Sequence, residues 1–509
     1  GESMEKIKKY MNSAFEWLSR YISPSLLAVL GIGLVTSILL FVYPINGLGD
    51  NGEYFRVLNS NSLYRVNGDS YDNVVYFVKD FSIMRYFNET TTHFVSTQQF
   101  FITVAIWLNK LFYSQTLFDI RFLGFVYLSC FLVSIYILVR GLTEDVSLKK
   151  SYLISLLVIF ILGDTSYTIY FNSFYTEATS FLLSVSVLAF SVYFYRVTKP
   201  RTWLRRIVLV ILAQAVVLLI GTTRQEYLLI IGVIIAGLGF FVYLSQRYQR
   251  LSMTAFLIAL IGFTTLAAFI VPNDIYERDV YHSMTRGVMK DSKVPDKRMS
   301  EGGINPQYGL QKGRSYFEEY SPVSPTSEQM KKDFFDKTSF GWVLLNYLNY
   351  PSELWQGLNS AVPNVYLVKP NNVGNFEKTT GRAPLEQSKF FMVYNRIKAS
   401  FFPKNFAFYL LLGVILFGLY GVGLYRGLKR NEPRLVFRFF LMTGIYLNLL
   451  VVFISTIIID GDSDLVRHLF LVSVFLDFLL LQIVSDVIGK RMWQDTTPQV
   501  IGEVEGIEK

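Results

Sequence analysis

Apolar stretches of about 20 residues with almost no charge recur along this chain and limit what it can fold into. Segments of this length cross the hydrocarbon core of a membrane as helices. Since 52% of the residues are hydrophobic and only 17% are charged, an ordinary soluble protein is excluded. The pattern predicts an all-α polytopic membrane protein with about ten transmembrane helices. They lie near Leu26–Tyr43, Phe122–Val139, Tyr152–Leu162, Phe174–Tyr195, Ile207–Gly221, Tyr227–Leu244, Met253–Val271, Phe406–Tyr425, Phe439–Ile459 and Leu469–Ile488.

Basic residues predict the orientation of these spans. Lysine and arginine cluster before the first span and in short loops after the second, fourth, sixth, eighth and tenth. Cytoplasmic loops carry this excess in membrane proteins, so both termini are predicted to be cytoplasmic. The net charge of +9 therefore follows from topology and does not indicate a nucleic-acid partner.

One further apolar segment, residues 98–113, leaves open whether it lies on the membrane or crosses it. If it crossed, all later basic loops would move to the outside, against the charge pattern. Asn109 and Lys110 also interrupt it. We expect an amphipathic helix on the outer surface, with Trp107 as its interface anchor.

This topology predicts five regions along the chain. They are a cytoplasmic segment at 1–24, a membrane module at 25–271 with a first outer loop at 44–119, an extracellular domain at 272–405, transmembrane helices at 406–488 and a cytoplasmic tail at 489–509. Because structureless loops beyond about 15 residues are uncommon, the segment 272–405 is expected to be a small, mostly helical domain. Gly341–Tyr350 and Ser352–Leu358 have a helical pattern.

Cysteine and histidine give little indication of metal chemistry. The single cysteine, Cys130, falls inside a predicted span, which excludes a disulfide framework, and we interpret it as a small apolar core residue. His93, His282 and His468 all fall on the exterior side, with no carboxylate pattern beside them. These histidines are weak indicators of a metal site.

Asp50 and Glu53 lie in a glycine-containing turn just past the first span. Carboxylates at an outer membrane boundary suit a reaction on a lipid-linked substrate. An ionised aspartate can accept a proton from a hydroxyl while that hydroxyl attacks the anomeric carbon of a sugar. The leaving phosphate then needs positive charge, and Arg224 and Arg467, at the outer ends of spans, are the best candidates. Asp50, Glu53 and Glu177 are also candidate ligands for Mg²⁺ or Mn²⁺ if they lie close together.

Each of these residues also has a purely structural interpretation. Asp50 and Glu53 are suited to capping a juxtamembrane helix, and Glu177 to the N-terminal end of a span, where the helix dipole favours a negative charge. Arg224 can pair with Glu226. Arg467 has Asp462 and Asp464 nearby as partners for an ion pair. Only their coincidence on one face of the membrane favours a functional site.

The layout resembles the GT-C superfamily of membrane glycosyltransferases, which take sugars from polyprenyl phosphates. Asp50 matches the position of the family's acidic catalytic residue in the first outer loop. The helix Gln98–Lys110, followed by Asp119–Leu123, is similar to the juxtamembrane helices that precede the second span. The run Tyr170–Glu177 is similar to the segment that carries a second acidic residue, and Arg467 with His468 resembles the basic residues that face the donor phosphate.

A narrower resemblance is to bacterial hexosyltransferases of cell-surface glycan assembly, of the surface-layer type. It rests on Tyr281–Val288 and Gly303–Tyr308. It implies transfer of a hexose from a polyprenyl-phosphate donor to a glycan or wall polymer on the outer face of the bacterial cytoplasmic membrane. Asp50 would be the base of an inverting reaction, with Glu53 or Glu177 positioning the acceptor and Arg224, Arg467 and His468 binding the donor phosphate.

Two other classes remain open from the sequence. A transporter or flippase for lipid-linked saccharides usually carries ionisable groups near the middle of its spans, and these spans have few. An O-antigen-ligase-like protein shares the large outer loop. The nearly neutral span interiors favour an enzyme over a transporter.

Overall fold

The computed structural model describes residues 2–86, 95–199 and 201–495, and His93 lies outside them. Within these ranges, nine helices are long and apolar enough to cross a membrane, and a bent helix pair raises the number to ten. The predicted helical architecture and span count are therefore confirmed. The nine are Pro24–Phe41, Arg121–Leu142, Glu177–Arg196, Thr202–Ile220, Gln225–Tyr243, Arg247–Phe269, Ala407–Arg430, Pro433–Asp460 and Phe470–Ile488.

The bent pair explains why one predicted span was short. Leu148–Leu162 continues into Thr165–Asn172 after a bend of 46°. At the bend, the Asp164 carboxylate accepts hydrogen bonds from the amides of Ser166 at 2.8 Å and Asn395 at 2.9 Å. The carboxylate thus caps the second helix and fixes its direction. This direction carries the chain toward Glu177, the first residue of the next span.

The first outer loop contains a small antiparallel sheet that the sequence analysis did not predict. Its strands Leu63–Arg65 (β1), Asp80–Ile83 (β2) and Leu117–Asp119 (β3) lie in the order β1-β2-β3. Strands of three or four residues are too short to show a clear alternation of apolar and polar side chains. The loop also contains the helices Tyr54–Ser60 and Ser70–Val75.

The segment predicted to lie on the surface forms the helix Gln98–Phe112. Fifteen residues of helix extend about 22 Å, which is less than the hydrocarbon thickness. Phe101, Ile102 and Ala105 are buried on one side, whereas Trp107 is 63% exposed. This amphipathic form fits a surface helix, and its position relative to the bilayer stays a prediction.

The segment predicted as an extracellular domain is largely helical, as expected, and both helical patterns singled out in the sequence form helices. Its α-helices are Asn273–His282, Met289–Asp291, Pro295–Glu301, Glu328–Asp333, Phe340–Asn349, Pro351–Val365 and Val393–Phe401. A π-helix at Ser283–Val288 and 3₁₀ turns at Pro306–Gln311, Phe335–Lys337 and Lys378–Thr380 complete it. The short helix Leu465–His468 follows the turn after the span Pro433–Asp460.

An extended segment of this domain, residues 371–376, lies between two parts of the first outer loop. The Gly49 amide donates to the Gly374 carbonyl at 2.9 Å, and the Gly374 amide donates to the Val74 carbonyl at 2.9 Å. A Cβ atom on Gly374 would lie 1.8 Å from the Val75 carbonyl oxygen, so only glycine fits there. The two regions are therefore joined by backbone hydrogen bonds beside Asp50.

The interior of the bundle is not as neutral as the sequence suggested. Lys398 and Asp477 are both 0% exposed, and Lys398 Nζ lies 2.9 Å from Asp477 Oδ2. Lys398 also donates to Ser473 at 2.6 Å, and the Tyr394 hydroxyl donates to Asp477 at 2.6 Å. The lysine comes from the helix Val393–Phe401, outside the spans. The expectation of a nearly uncharged interior is thus wrong at Asp477. This buried carboxylate lies inside a span, and the helix Val393–Phe401 supplies its counter-charge.

Two smaller features concern residues outside the core. Cys130 lies in the span Arg121–Leu142 but is exposed, so its interpretation as a core residue is wrong. Its side chain faces outward from the bundle, where the hydrocarbon would lie. The N-terminal segment forms the helix Glu2–Tyr21, which has no buried residue.

Candidate functional site

Arg467 lies at the centre of a group of carboxylates at the end of the bundle that carries the loop domain 272–405. Its Nη1 is 2.6 Å from Glu53 Oε2 and 3.3 Å from Asp464 Oδ2, and its Nη2 is 3.1 Å from Glu177 Oε1. Glu53, Glu177, Asp464 and Arg467 are named the Arg467 cluster below. A planar guanidinium can bind several carboxylates at once because its donors point in several fixed directions. Arg467 is only 8% exposed, so its guanidinium is largely shielded from solvent.

Of the two aspartates expected beside Arg467, only Asp464 pairs with it. Asp462 instead pairs with Arg286 at 2.8 Å and with Lys290, both from the loop domain. These contacts hold the turn before Arg467 against that domain. Asp462 therefore has a docking role rather than a role in the Arg467 cluster.

Tyr175 connects the Arg467 cluster to the turn that carries Asp50. Its hydroxyl donates to the Gly49 carbonyl at 2.6 Å and accepts from the Asn51 amide at 3.0 Å. Its ring lies 4.2 Å from the centre of the Arg467 guanidinium, a cation–π contact. The sequence analysis missed this residue, although Tyr175 stands in the run Tyr170–Glu177. Aromatic residues are too abundant in this chain for one tyrosine to stand out.

Asp50 is buried at 6% exposure and is fully engaged in hydrogen bonds. Its Oδ1 accepts from the Gly52 amide at 2.7 Å and the Tyr54 amide at 3.3 Å. Its Oδ2 accepts from Arg65 Nε at 2.7 Å and also from Arg65 Nη2. Because an ionised carboxylate has about four acceptor positions, these four donors fill them. An incoming hydroxyl can reach Asp50 only when a donor moves, and Arg65, 30% exposed, is the most accessible.

The structural interpretations of the carboxylates hold in part. Asp50 accepts the amide of Tyr54, the first residue of the helix Tyr54–Ser60, so it does stabilise that end. Glu53 occupies the N-cap position without a side-chain capping bond. Glu177 is in the first turn of its span, where the dipole favours it, and it also binds Arg467.

Glu53 is the accessible member of the Arg467 cluster. Its side chain is 56% exposed, against 11% for Glu177. Desolvation opposes its ionisation, but the Arg467 guanidinium outweighs this and lowers the pKa of the Glu53 carboxyl below its usual value. Glu53 is therefore ionised and is the cluster carboxylate that a substrate can reach most readily.

Arg224 lies apart from this hydrogen-bond network. Within the part of the chain that the structure describes, its side chain forms no ion pair, including the one expected with Glu226. Glu226 instead accepts from Ser180 at 3.0 Å and from Thr223. The next residue, Gln225, donates to Asp460 at 2.7 Å. Arg224 thus keeps a guanidinium without a carboxylate partner at the start of the span Gln225–Tyr243.

An apolar cavity of about 340 Å³ opens one helical turn beyond Arg224. It lies between the ends of two spans and the helix Phe340–Asn349 of the loop domain. The cavity is lined by Leu228, Phe340, Gly341, Leu344, Ser455, Ile458 and Ile459. This is a suitable place for the hydrocarbon part of an amphipathic ligand.

The three candidate metal ligands do not form a ligand group. Glu53 and Glu177 contact Arg467, and Asp50 contacts Arg65. Among the residues that the structure describes, no group of three or more His, Cys, Asp or Glu side chains is arranged to hold a metal ion. The geometry therefore fits neutralisation of charge by guanidinium groups.

Replacing Arg467 by glutamine should lower the free energy of unfolding by about 2–3 kcal/mol. The change leaves Glu53, Glu177 and Asp464 without their shared counter-charge, and partial access of Glu53 to solvent limits the cost. Chemical unfolding of the purified protein in detergent measures it. Adding Glu177→Gln should recover part of the loss, whereas Arg278→Gln, which removes a partly exposed pair with the neighbouring residue Asp279, should cost less than about 1 kcal/mol. Equal losses in both single variants would contradict a central role for Arg467.

His468 follows Arg467 in the chain but contacts a different set of partners. Its Nδ1 lies 2.7 Å from the Ser463 carbonyl oxygen, and its Nε2 lies 3.8 Å from Asp460 Oδ1. Burial alone would lower the pKa of His468, but Asp460 and Asp464 outweigh burial and raise it above 6.5. The imidazolium form is thus favoured, as a phosphate-binding role requires.

Stability should therefore fall as pH rises past neutrality. The folded state holds the His468 proton more tightly than the unfolded state, so its stabilisation is complete below about pH 6.5 and disappears as pH rises through the folded pKa. His468→Asn should flatten the unfolding free energy over this range. His282→Asn is the matched control, because burial and the nearby Arg278 and Arg286 lower the pKa of His282 to about 4. A steep profile retained in His468→Asn would contradict this assignment.

The structure thus unites four of the six predicted site residues. Glu53, Glu177 and Arg467 are in direct contact, and Asp50 joins them through Tyr175. His468 follows Arg467 but faces Asp460, and Arg224 pairs with none of them. Sequence reasoning missed Arg65 and Tyr175, the two residues that hold Asp50 in place.

Comparison with known proteins places the whole chain in one family. A structure of the archaeal oligosaccharyltransferase AglB from Archaeoglobus fulgidus, in complex with an inhibitory peptide and a dolichol-phosphate, matches with 13% identity and a TM-score of 0.38. The match covers 92% of this chain and 51% of that protein, so the chain spans about half its length. No curated protein matches the chain significantly. The sequence model of the family described as the YfdI N-terminal transmembrane domain matches residues 7–503, and the chain therefore belongs to this family.

Proposed function

We propose that this protein is a glycosyltransferase that moves a monosaccharide, a hexose, from a polyprenyl-phosphate donor to a glycan or wall polymer. The reaction would take place at the outer face of the bacterial cytoplasmic membrane, with a cell-surface glycan or wall polymer as the acceptor, as in the hexosyltransferases of surface-layer glycan assembly. The observation that carries the proposal is the connection of Asp50 to the Arg467 cluster through Tyr175. A proton acceptor and a guanidinium group are thereby held near each other by one tyrosine at the end of the bundle.

In the proposed reaction, an acceptor hydroxyl attacks the anomeric carbon of the donor sugar. The bond between this carbon and the phosphate oxygen breaks as the new glycosidic bond forms, which inverts the anomeric configuration. The hydroxyl proton passes to Asp50, and polyprenyl phosphate leaves with the bonding electron pair. Arg65 must first release Oδ2 of Asp50, so the acceptor hydroxyl takes the place of the Arg65 donors.

The remaining side chains would stabilise the phosphate and position the acceptor. Arg224 is available to the phosphate because it has no carboxylate partner among the described residues. Arg467 can bind the phosphate by exchanging Glu53, its most exposed partner, and the freed Glu53 or the adjacent Glu177 then orients the acceptor. His468, whose pKa Asp460 and Asp464 raise against the effect of burial, would add positive charge beside Arg467 when it is protonated.

The apolar cavity beyond Arg224 supports a lipid-linked donor. Its lining is almost entirely apolar, and it opens at the outer ends of two spans. The first isoprene units of a polyprenyl chain would fill it and leave the phosphate near Arg224. A water-soluble nucleotide sugar would gain nothing from such a cavity.

The proposal is tested by adding a purified polyprenyl-phosphate hexose and an acceptor glycan to the protein in liposomes. An enzyme releases polyprenyl phosphate, whereas a flippase moves the donor across the bilayer without releasing any. An O-antigen-ligase-like protein releases polyprenyl pyrophosphate, and only from a pyrophosphate-linked oligosaccharide. We expect release to persist with EDTA, because guanidinium groups occupy the candidate ligands for Mg²⁺ or Mn²⁺. Movement of intact donor without release would reject the glycosyltransferase.

A transporter is the second candidate, and the buried pair of Lys398 and Asp477 is the feature of the structure that bears on it. Ionisable side chains within spans often mark a transport pathway. Both side chains are 0% exposed here and bind each other, Ser473 and Tyr394. Because these partners satisfy both charges, the pair fits a fixed structural contact better than a transport pathway.

A further inference from the structure

A second cavity, of about 320 Å³, lies at the basic end of the bundle, opposite the Arg467 cluster. It opens between the last turns of Ala407–Arg430 and Phe470–Ile488 and the segment that follows. Leu419, Val487, Met492 and Trp493 supply apolar walls, and Arg426 and Lys490 supply charge. The Trp493 indole donates to the Leu419 carbonyl at 3.0 Å, which closes one side of the cavity.

The base of this cavity carries excess positive charge. The Asp486 carboxylate, 0% exposed, binds Arg491 at 2.8 Å and Arg438 at 3.4 Å. Two guanidinium groups thus neutralise one carboxylate. In addition, Arg491 Nη2 and Arg438 Nε are buried without a hydrogen-bond partner. The acidic side chain at the base therefore does not repel an anion.

The two cations at the cavity mouth have no acidic partner within the described residues. Arg426 lies 5.8 Å from the centre of the Trp493 ring, and Lys490 is exposed. Asp495, next to the lining residue Gln494, pairs with Arg434 at 3.2 Å instead. An apolar cavity with free cations at its mouth has the charge and polarity of a lipid site with an anionic headgroup.

We propose that this cavity binds an anionic glycerophospholipid of the surrounding bilayer. Arg426 and Lys490 would hold its phosphate, and one acyl chain would lie along Leu419 and Val487. The exposed surface of the bundle beside the cavity is apolar: Val487 is 60% exposed and Leu428 is 64% exposed. An acyl chain can therefore continue from the cavity into the bilayer. The proposal is independent of the proposed reaction, which lies at the other end of the bundle.

Thermal unfolding of the full-length protein in detergent, titrated with dioleoylphosphatidylglycerol, tests the proposal. We expect saturable stabilisation that dioleoylphosphatidylcholine does not give. The double variant Arg426→Gln/Lys490→Gln should bind about 30-fold more weakly. Lys429→Gln/Arg430→Gln removes the same charge from the same basic end without touching the cavity, and it should keep the wild-type affinity.

Three results would overturn the proposal. Equal loss of affinity in both double variants would indicate diffuse attraction to the basic loops. Equal stabilisation by the zwitterionic lipid would exclude selection of an anionic phosphate. Displacement of the phosphatidylglycerol by equimolar or lower polyprenyl phosphate would assign the cavity to that lipid instead. Unfolding without added lipid shows separately whether each variant is correctly folded.

Discussion

Asp50→Asn should reduce sugar transfer by about 10²–10⁴-fold, the usual contribution of a positioned general base. Asparagine keeps the oxygen that accepts the Gly52 and Tyr54 amides, so the turn is preserved. It loses the negative charge needed to take up the acceptor proton. Release of polyprenyl phosphate from a polyprenyl-phosphate hexose measures the effect.

The same loss of activity would follow if Asp50→Asn unfolded the site, so stability must be measured alongside it. The substitution turns an amide NH2 toward the Arg65 donors, and because Arg65 is 30% exposed and can turn to solvent, we expect a cost of about 1–2 kcal/mol. Asp69→Asn is the matched control: Asp69 lies in the same loop and caps the helix Ser70–Val75, which asparagine also does well. Near wild-type transfer by Asp50→Asn would show that Asp50 is not the base, even if the protein proves to be a glycosyltransferase.

Lys398→Met should lower the free energy of unfolding by about 3–5 kcal/mol, the usual cost of breaking a fully buried ion pair. It leaves the Asp477 carboxylate at 0% exposure with no counter-charge, and the hydroxyls of Tyr394 and Tyr167, which both donate to it, cannot replace a positive charge. Chemical unfolding in detergent, followed by tryptophan fluorescence, measures the loss. Lys389→Met, at an exposed position just before the same helix, should change stability by less than about 0.5 kcal/mol.

A second substitution distinguishes the charge from the packing of Lys398. Lys398→Met/Asp477→Leu removes both charges and should recover roughly half or more of the lost stability, because apolar pairs often replace buried ion pairs without loss. If the double variant is no more stable than Lys398→Met, the lysine acts through its shape and not through its charge. If transport of a lipid-linked sugar required this pair, the double variant would stay folded but lose that activity.

The spans could be predicted from the sequence because a membrane imposes one length and one polarity on every crossing segment. The placement of Asp50, Glu53, Glu177 and Arg467 at one end of the spans followed from the same topology. Their mutual contacts did not, because Glu177 begins one span, Arg467 lies in the short helix between two others, and the two meet only through packing. Arg65 lies on a strand too short to recognise, and Tyr175 contributes a hydroxyl and a ring face that no spacing pattern reveals.

The charges inside the bundle show the same limit of sequence reasoning. Asp477 is a single acidic residue in an apolar helix, and its partner Lys398 lies in a different part of the chain. A lone aspartate in a span indicates that some partner exists. Only the packing of the helix Val393–Phe401 against the spans identifies that partner.

The backbone contacts of residues 371–376 affect the order in which the protein can mature. The Gly49 amide, next to Asp50, needs the Gly374 carbonyl, and Val74 needs the Gly374 amide. Until residues 371–376 have been synthesised, the early spans can insert into the membrane, but the Asp50 loop lacks the extended segment that binds its backbone. The ribosome must therefore synthesise the chain past residue 374 before the loop that carries Asp50 can take its final form.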